Sequence, residues 1–220
     1  MHTTHIPLSF ASHTLHLVEF APDSLHEHDL LWLPHYAQLA TSGRKRQAEH
    51  LAGRIAAVHA LREYGSKKVP GIGERRQPLW PQGLFGSISH SASTALAVVG
   101  TQPIGLDIDA IFTPHTAAEL ADSIIDNHER QVLQGCPVPF PLALTLAFSA
   151  KESVYKAFSE QTRGLPGFAS AKITALTATH LMVQIMPSFS ANLAGRTVGV
   201  RWTQRDNDII TLCTPTSSGS

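Results

Sequence analysis

The sequence predicts an α+β fold of two similar lobes, each a small, mostly antiparallel sheet packed on a long helix, the two related by a pseudo-two-fold. Three observations carry this reading. Apolar residues recur at helical spacing over residues 44–64, and a second long helical run follows over 142–159. Short strand-like runs punctuated by turn residues accompany each helix. Each half therefore holds one long helix and several strands. The expected lobes are residues 1–105 and 106–213, with 214–220, TPTSSGS, as a disordered tail.

Residues 14–20 (TLHLVEF) alternate well enough for a strand, although the alternation breaks at Leu17-Val18. In the first helix Leu51, Ile55, Val58 and Leu61 form the apolar face, and Gly65 supplies the stop. Arg46, His50 and Arg54, four apart, form a stripe beside that face. Residues 67–86 are rich in Gly and Pro and read as a long ordered loop, a length that often serves function. Strands are expected at 84–90, 95–99 and 104–108. Asp126-x-x-Glu129 has the form of a capping box opening a short helix. The second long helix ends near Gly164 and Pro166, and strands follow at 172–176, 181–186, 197–203 and 209–213.

Composition narrows the function. Hydrophobic residues make up 43% and charged residues 15%, which is globular rather than disordered. Lys plus Arg equals Asp plus Glu at 17 each, so the chain has no electrostatic footprint for nucleic acid. Two cysteines without a CxxC argue against a disulfide framework or structural zinc and for a reducing compartment. With no signal-like N-terminus and no apolar run of membrane length, the cytoplasm is the expected location. Neither a Walker A loop nor GxGxxG is present, which disfavours nucleoside triphosphate and dinucleotide sites.

Three segments carry chemistry. In Ile104-Gly105-Leu106-Asp107-Ile108-Asp109, strand parity puts the apolar residues on one face and both aspartates on the other. Paired carboxylates repel and call for a cation, whereas the plainer reading is a half-buried edge strand with a solvated polar face. In Phe148-Ser149-Ala150-Lys151-Glu152-Ser153-Val154-Tyr155-Lys156, Glu152 and Lys156 share a helix face. Alone they read as a surface ion pair. Beside the aspartates, Glu152 completes an oxygen-rich set suited to magnesium. Finally, Gly86-Ser87-Ile88-Ser89-His90-Ser91 follows a loop containing Arg75 and Arg76 and offers donors suited to phosphate, or else is a polar turn with an incidental histidine. The other histidines of the 13 show no ligand spacing and read as surface or core residues.

Gly105-Leu106-Asp107 with Phe148-Ser149-x-Lys151-Glu152-Ser153-x-x-Lys156 resembles the paired signature of the phosphopantetheinyl transferases that serve nonribosomal peptide and polyketide synthases. Gly86-Ser87-x-Ser89-His90 and the basic helix around Arg46 and Arg54 match that family too, and the likeness runs over about residues 7–160. The resemblance implies Mg-dependent transfer of 4'-phosphopantetheine from coenzyme A to a carrier-protein serine, in a site between two similar lobes. It implies Asp107, Asp109 and Glu152 as magnesium ligands. Many relatives have Glu at the position of Asp109, whose shorter arm suits a water-mediated contact. Lys156 matches the lysine that contacts phosphate or assists the serine, and Lys151 is a further phosphate candidate. Ser89 and His90 match positions at the nucleotide end of coenzyme A. Arg46, Arg54 and Arg76 match basic positions around its phosphates, with Arg75 as a rival in register.

The partners implied are apo aryl or peptidyl carrier domains of a siderophore synthase. A monomer is expected, and the resemblance adds loose membrane association to the cytoplasmic reading. The serine's proton passes to Glu152 directly, to Glu152 through water, or to Lys156. The same carboxylates would serve a metal-dependent hydrolase of the coenzyme A pyrophosphate, with water as nucleophile. A Ser-His-Asp hydrolase from Ser89 or Ser91, His90 and Asp107 is disfavoured, because adjacent Ser and His rarely face each other and no G-x-S-x-G elbow exists. Intact Asp107, Glu152 and Lys156 argue against a coenzyme-binding scaffold without turnover.

Overall fold

Two larger antiparallel sheets, each with one long helix packed on it, dominate the computed structural model, which describes residues 1–162 and 164–215. The chain divides between Gln102 and Pro103. That is ahead of the expected 105/106, because Gly105 already pairs with Cys213 in the second sheet.

The first unit contains β1 (Thr3–Phe10), β2 (His13–Phe20), α1 (Arg44–Arg62), the short pair β3 (Gly71–Ile72) and β4 (Pro78–Leu79), then β5 (Phe85–Ser91) and β6 (Thr94–Gly100). The sheet order is β1-β2-β6-β5, all antiparallel. Sequence periodicity missed β1. Pro7 weakens its strand signal, but an edge strand tolerates proline. Its hairpin turn is Ala11-Ser12, both at positive φ (49° and 63°), where turn chemistry would favour Asn-Gly. The broken alternation at Leu17-Val18 reflects burial of every residue from Leu15 to Val18. On α1 the expected apolar residues are joined by Ala48, Ala52, Ala56, Ala57 and Ala60, all buried, and this small-residue row packs the helix close to β2, β5 and β6. At Gly53 a Cβ would lie 2.8 Å from Ile88 Cγ2.

The histidines of this unit are more organised than their spacing suggests. His5 Nε2 and His16 Nδ1 are 2.9 Å apart, and His16 Nε2 hydrogen-bonds Glu63 Oε1 at 2.9 Å. His59 stacks on His5, and His35 and His50 share a hydrogen bond between their Nε2 atoms at 2.8 Å. Burial first, then the neighbouring Arg54, His35, Arg46 and His90, push His50 from 6.5 down to about 3. Burial also lowers His5, His35 and His59. A depressed histidine takes up its proton more readily unfolded, so its stability contribution is complete above about pH 6.5 and is lost as pH falls towards the folded value. Acidification to pH 5 should therefore cost about 1–2 kcal/mol through His50 alone, allowing for its partial exposure. Urea titrations from pH 7.5 to 5 should show that loss, and His50→Gln should flatten the slope.

The second unit runs β7 (Gly105–Ala110), α2 (Pro114–Ile124), α3 (Asn127–Gln134), α4 (Phe140–Ala157), β8 (Ala171–Leu176), β9 (His180–Ile185), β10 (Thr197–Arg205) and β11 (Asp208–Cys213). Its sheet order is β7-β11-β10-β9-β8, again antiparallel, with β7 at one edge. The capping box forms as read: Asp126 accepts from the Glu129 amide at 2.8 Å and Glu129 from the Asp126 amide at 2.9 Å. Sequence reading missed α2, although Thr113-Pro114 is a start signal, with Thr113 accepting from the Thr116 amide at 3.1 Å. Its buried stripe is only Ala117, Ala121 and Ile124. Helix α4 crosses β7 and β11, bringing the carboxylate strand and the signature helix together. Residues 216–220 of the expected tail lie outside the described residues; the Pro215 carbonyl accepts from Arg196 at 2.7 Å.

Candidate active site

Strand β7 and helix α4 meet at Gly105. A Cβ there would stand 1.8 Å from the Ser153 carbonyl oxygen and 2.7 Å from the Ala157 nitrogen, so only glycine admits this approach. The approach lets α4 reach Asp107. Lys156 Nζ donates to Asp107 Oδ1 at 2.7 Å and to the Leu106 carbonyl at 3.0 Å, and Ser149 Oγ donates to Asp107 Oδ2 at 2.7 Å. Thr211 lies opposite Asp107 across β11, its hydroxyl 2.8 Å from Ser149 Oγ and 2.6 Å from Ser153 Oγ. Ser149, Ser153 and Thr211 are fully buried, so a closed polar network holds Asp107 in one orientation. Thr211 has no signal in the sequence, being 62 residues from its Ser149 partner.

The polar face of β7 is therefore not the solvated edge of the plainer reading: Asp107 is 5% exposed. Nor do Glu152 and Lys156 form the simple surface pair, since the ammonium is drawn to Asp107 by the deeper negative charge. Burial would raise Asp107, but Lys156 and hydrogen bonds from Asp109, Lys156 and Ser149 bring it below the ordinary range. Asp109 is pushed up to about 9 by burial, by its hydrogen bond to Asp107 and by the charges of Asp107 and Glu152, against the pull of Lys156. Burial also raises Glu152, with Lys156 opposing and Asp107 adding. Three half-buried or buried carboxylates thus sit in one another's field with one ammonium among them.

Among the described residues, no three carboxylate, imidazole or thiol groups are arranged to hold a metal ion. Asp109 is instead bonded to Asp107, and Asp107 to Lys156. The chemistry of the donor set still fits a hard divalent cation, since all three side chains offer only oxygen and burial, with Asp107 beside it, pushes the Asp109 carboxyl up to about 9.

Lys151 departs from its expected role as a phosphate contact. It is 4% exposed, pairs with Glu129 Oε1 at 2.7 Å and donates to the carbonyls of Ile124 at 2.7 Å and Phe168 at 3.1 Å. An ammonium has three donors, and all three are engaged. Lys151 is itself, with Glu152, Tyr155, Leu165, Phe168 and Phe189, among the residues lining a cavity of about 190 Å³.

In the first unit, Arg46, Arg54 and His90 gather around His50. Arg54 is buried, and its guanidinium donates to the Pro70 and Gly71 carbonyls at 2.8 and 2.9 Å, anchoring the loop after α1. Burial lowers it to about 10, which leaves it charged at neutral pH. Arg46 is exposed. His90 Nδ1 lies 3.8 Å from Glu49 on α1. Ser89 is buried on the opposite face of β5, as strand parity requires, so the structure does not place Ser89 and His90 side by side. Arg76 occupies the β3–β4 turn at φ 64°, exposed, with Arg75 beside it.

Residues 35–100 match a model of the 4'-phosphopantetheinyl transferase N-terminal domain, and residues 103–213 match the 4'-phosphopantetheinyl transferase superfamily. The chain is 66% identical to enterobactin synthase component D of Salmonella typhi over 96% of its length and 90% of the relative's. It is 54% identical to enterobactin synthase component D of Escherichia coli (strain K12), over 97% of this chain and 98% of that one. The 4'-phosphopantetheinyl transferase PptT of Mycobacterium tuberculosis is 35% identical over 64% of each chain.

Proposed function

The chain belongs to the 4'-phosphopantetheinyl transferase superfamily, and we propose that it works with magnesium held by Asp107, Asp109 and Glu152, on aryl and peptidyl carrier domains of an enterobactin-type siderophore synthase. As a member of that family it transfers the 4'-phosphopantetheine group of coenzyme A to a serine of apo carrier proteins. The observation that supports the site assignment is the crowding of the three carboxylates around a single ammonium, Lys156.

In the reaction the carrier serine oxygen forms a bond to the pantetheine-side phosphorus, and the bond from that phosphorus to the bridging oxygen breaks. The electron pair leaves with 3',5'-ADP. A bound divalent cation supplies Lewis-acid stabilisation of the pyrophosphate charge. Lys156 is held on β7 by the Leu106 carbonyl and Asp107, with one N–H left to donate to a phosphate oxygen. Glu152, its carboxyl raised by burial, takes the serine proton directly or through one water. Arg46 and Arg54 supply positive charge and, with His90, donors for the nucleotide phosphates, with Ser89 and Arg76 as further ligands of the same substrate. Lys151 is left out of the substrate shell, for the reason its three acceptors give. The enzyme acts as a monomer in the cytoplasm. Cys136 and Cys213 are free thiols, and among the described residues no helix is long and apolar enough to cross a membrane.

The test mixes the protein with coenzyme A, magnesium and apo aryl or peptidyl carrier domains and follows the carrier by intact mass. The carrier should gain one phosphopantetheine. EDTA should abolish the gain, and Glu152→Ala should lower the rate by about a thousandfold or more. Undiminished turnover in EDTA would overturn the metal assignment. Free phosphopantetheine with unmodified carrier would identify a hydrolase.

A further inference from the structure

We infer that the buried Lys151–Glu129 pair is a positioning clamp that sets the rotation of α4, and through it the placement of Glu152 and Lys156. The inference rests on the transferase reading above and gives Lys151 a role other than phosphate binding.

Glu129 is held from several sides. Its Oε2 accepts from the Asp126 amide at 2.9 Å, and its Oε1 accepts from the Ile173 amide at 2.9 Å and from Lys151 at 2.7 Å. Lys151 adds the carbonyls of Ile124, the last residue of α2, and Phe168. One ion pair therefore ties the end of α2, the start of α3, strand β8 and the Phe168 segment to a single point on α4. Both side chains are at most 2% exposed, so neither partner has solvent as an alternative. Residues 151 and 152 are about 100° apart around a helix, so Lys151 cannot turn without carrying Glu152 with it. The opposite side of α4 is fixed by the Ser149–Ser153–Thr211 network against β11. Two polar anchors on different sides of one helix fix its rotation more closely than either alone.

A buried ion pair adds little stability over a well-packed apolar pair, because desolvation offsets the attraction. What it supplies is direction: five hydrogen bonds must form together for the charges to be satisfied. The pair is also electrically neutral as a unit, so it contributes little field at a bound phosphate. The same contact shapes the cavity beside Glu152, since Phe168, whose carbonyl Lys151 holds, is one of its walls.

The test compares wild type, Glu129→Gln, Lys151→Arg, Lys151→Met and the Glu129→Gln/Lys151→Met double variant, all as full chains. Each is assayed for kcat and KM with coenzyme A, magnesium and an apo carrier domain. The clamp predicts that Glu129→Gln, at a residue that touches no substrate, lowers kcat by about tenfold to a hundredfold with KM for coenzyme A within about twofold of wild type. The double variant should be no slower than the slower single, because both changes remove one device. Lys151→Arg, which keeps the charge, should recover part of kcat. Wild-type kinetics in Glu129→Gln, with KM for coenzyme A raised about tenfold in Lys151→Met, would overturn the clamp and restore Lys151 as a phosphate ligand. If Lys151→Met does not fold, Glu129→Gln and Lys151→Arg decide the matter. Amide hydrogen exchange tests the clamp without turnover. Faster exchange in α4 of Glu129→Gln supports it, unchanged protection overturns it, and failure of wild type to modify any carrier would count against the transferase reading alone.

Discussion

Gly105→Ala is expected to leave little or no folded enzyme. The added methyl would stand 1.8 Å from one backbone oxygen and 2.7 Å from a backbone nitrogen of α4, and neither can swing aside as a side-chain tip would. Relief requires α4 to lift from β7, which breaks the contacts of Lys156 and Ser149 with Asp107 and opens the core beneath. The cost should exceed about 4 kcal/mol, a large share of a typical domain's stability. Soluble yield and urea titration measure it. Gly43→Ala is the control: nothing lies within 4 Å of the added methyl, and losing a glycine N-cap costs about 1 kcal/mol or less. A Gly105→Ala protein of near wild-type stability would show that β7 and α4 do not approach as described.

Lys156→Met removes the ammonium from Asp107 and the donor from the Leu106 carbonyl. Turnover should fall by about a hundredfold to a thousandfold, as for loss of one donor to developing charge. Stability at neutral pH should fall by about 2 kcal/mol, less than for a fully buried pair because Lys156 is 26% exposed. The pH dependence gives a further signature. Asp107 is depressed below 3.8 in the folded protein, so its contribution is present above the unfolded value and is lost as pH falls through the folded one. Wild type and variant should differ most near neutrality and converge in acid. Lys156→Arg should recover most of the stability but less of the rate, since a planar guanidinium does not reproduce the single point of contact. Equal stability of Lys156→Met and wild type at pH 7 would show that the Asp107 pair is not formed.

Much of the site was legible because its residues lie within single elements. The parity of Asp107 and Asp109 is a property of any strand, and the common face of Glu152 and Lys156 a property of any helix. The capping box at Asp126 and Glu129 spans three residues and forms locally. What was not legible depends on residues distant in sequence. Lys151 looks like any signature lysine until Glu129, Ile124 and Phe168 close around it. Arg54 reads as one more residue of a basic stripe, and only the fold shows that its guanidinium also anchors the carbonyls of Pro70 and Gly71.

The sequence by itself determined two α+β halves, a carboxylate strand, a signature helix and the family they indicate, since hydrophobic period and motif spacing act over a few residues. Only the tertiary structure decided which charged groups stay accessible and which are buried with partners. It joined Asp107 to Lys156 rather than Glu152 to Lys156, and it turned Lys151 inward. The reason is desolvation: a charge that burial removes from water takes whatever opposite charge or carbonyl the fold brings within about 3 Å, and that neighbour is set by chain packing rather than by spacing.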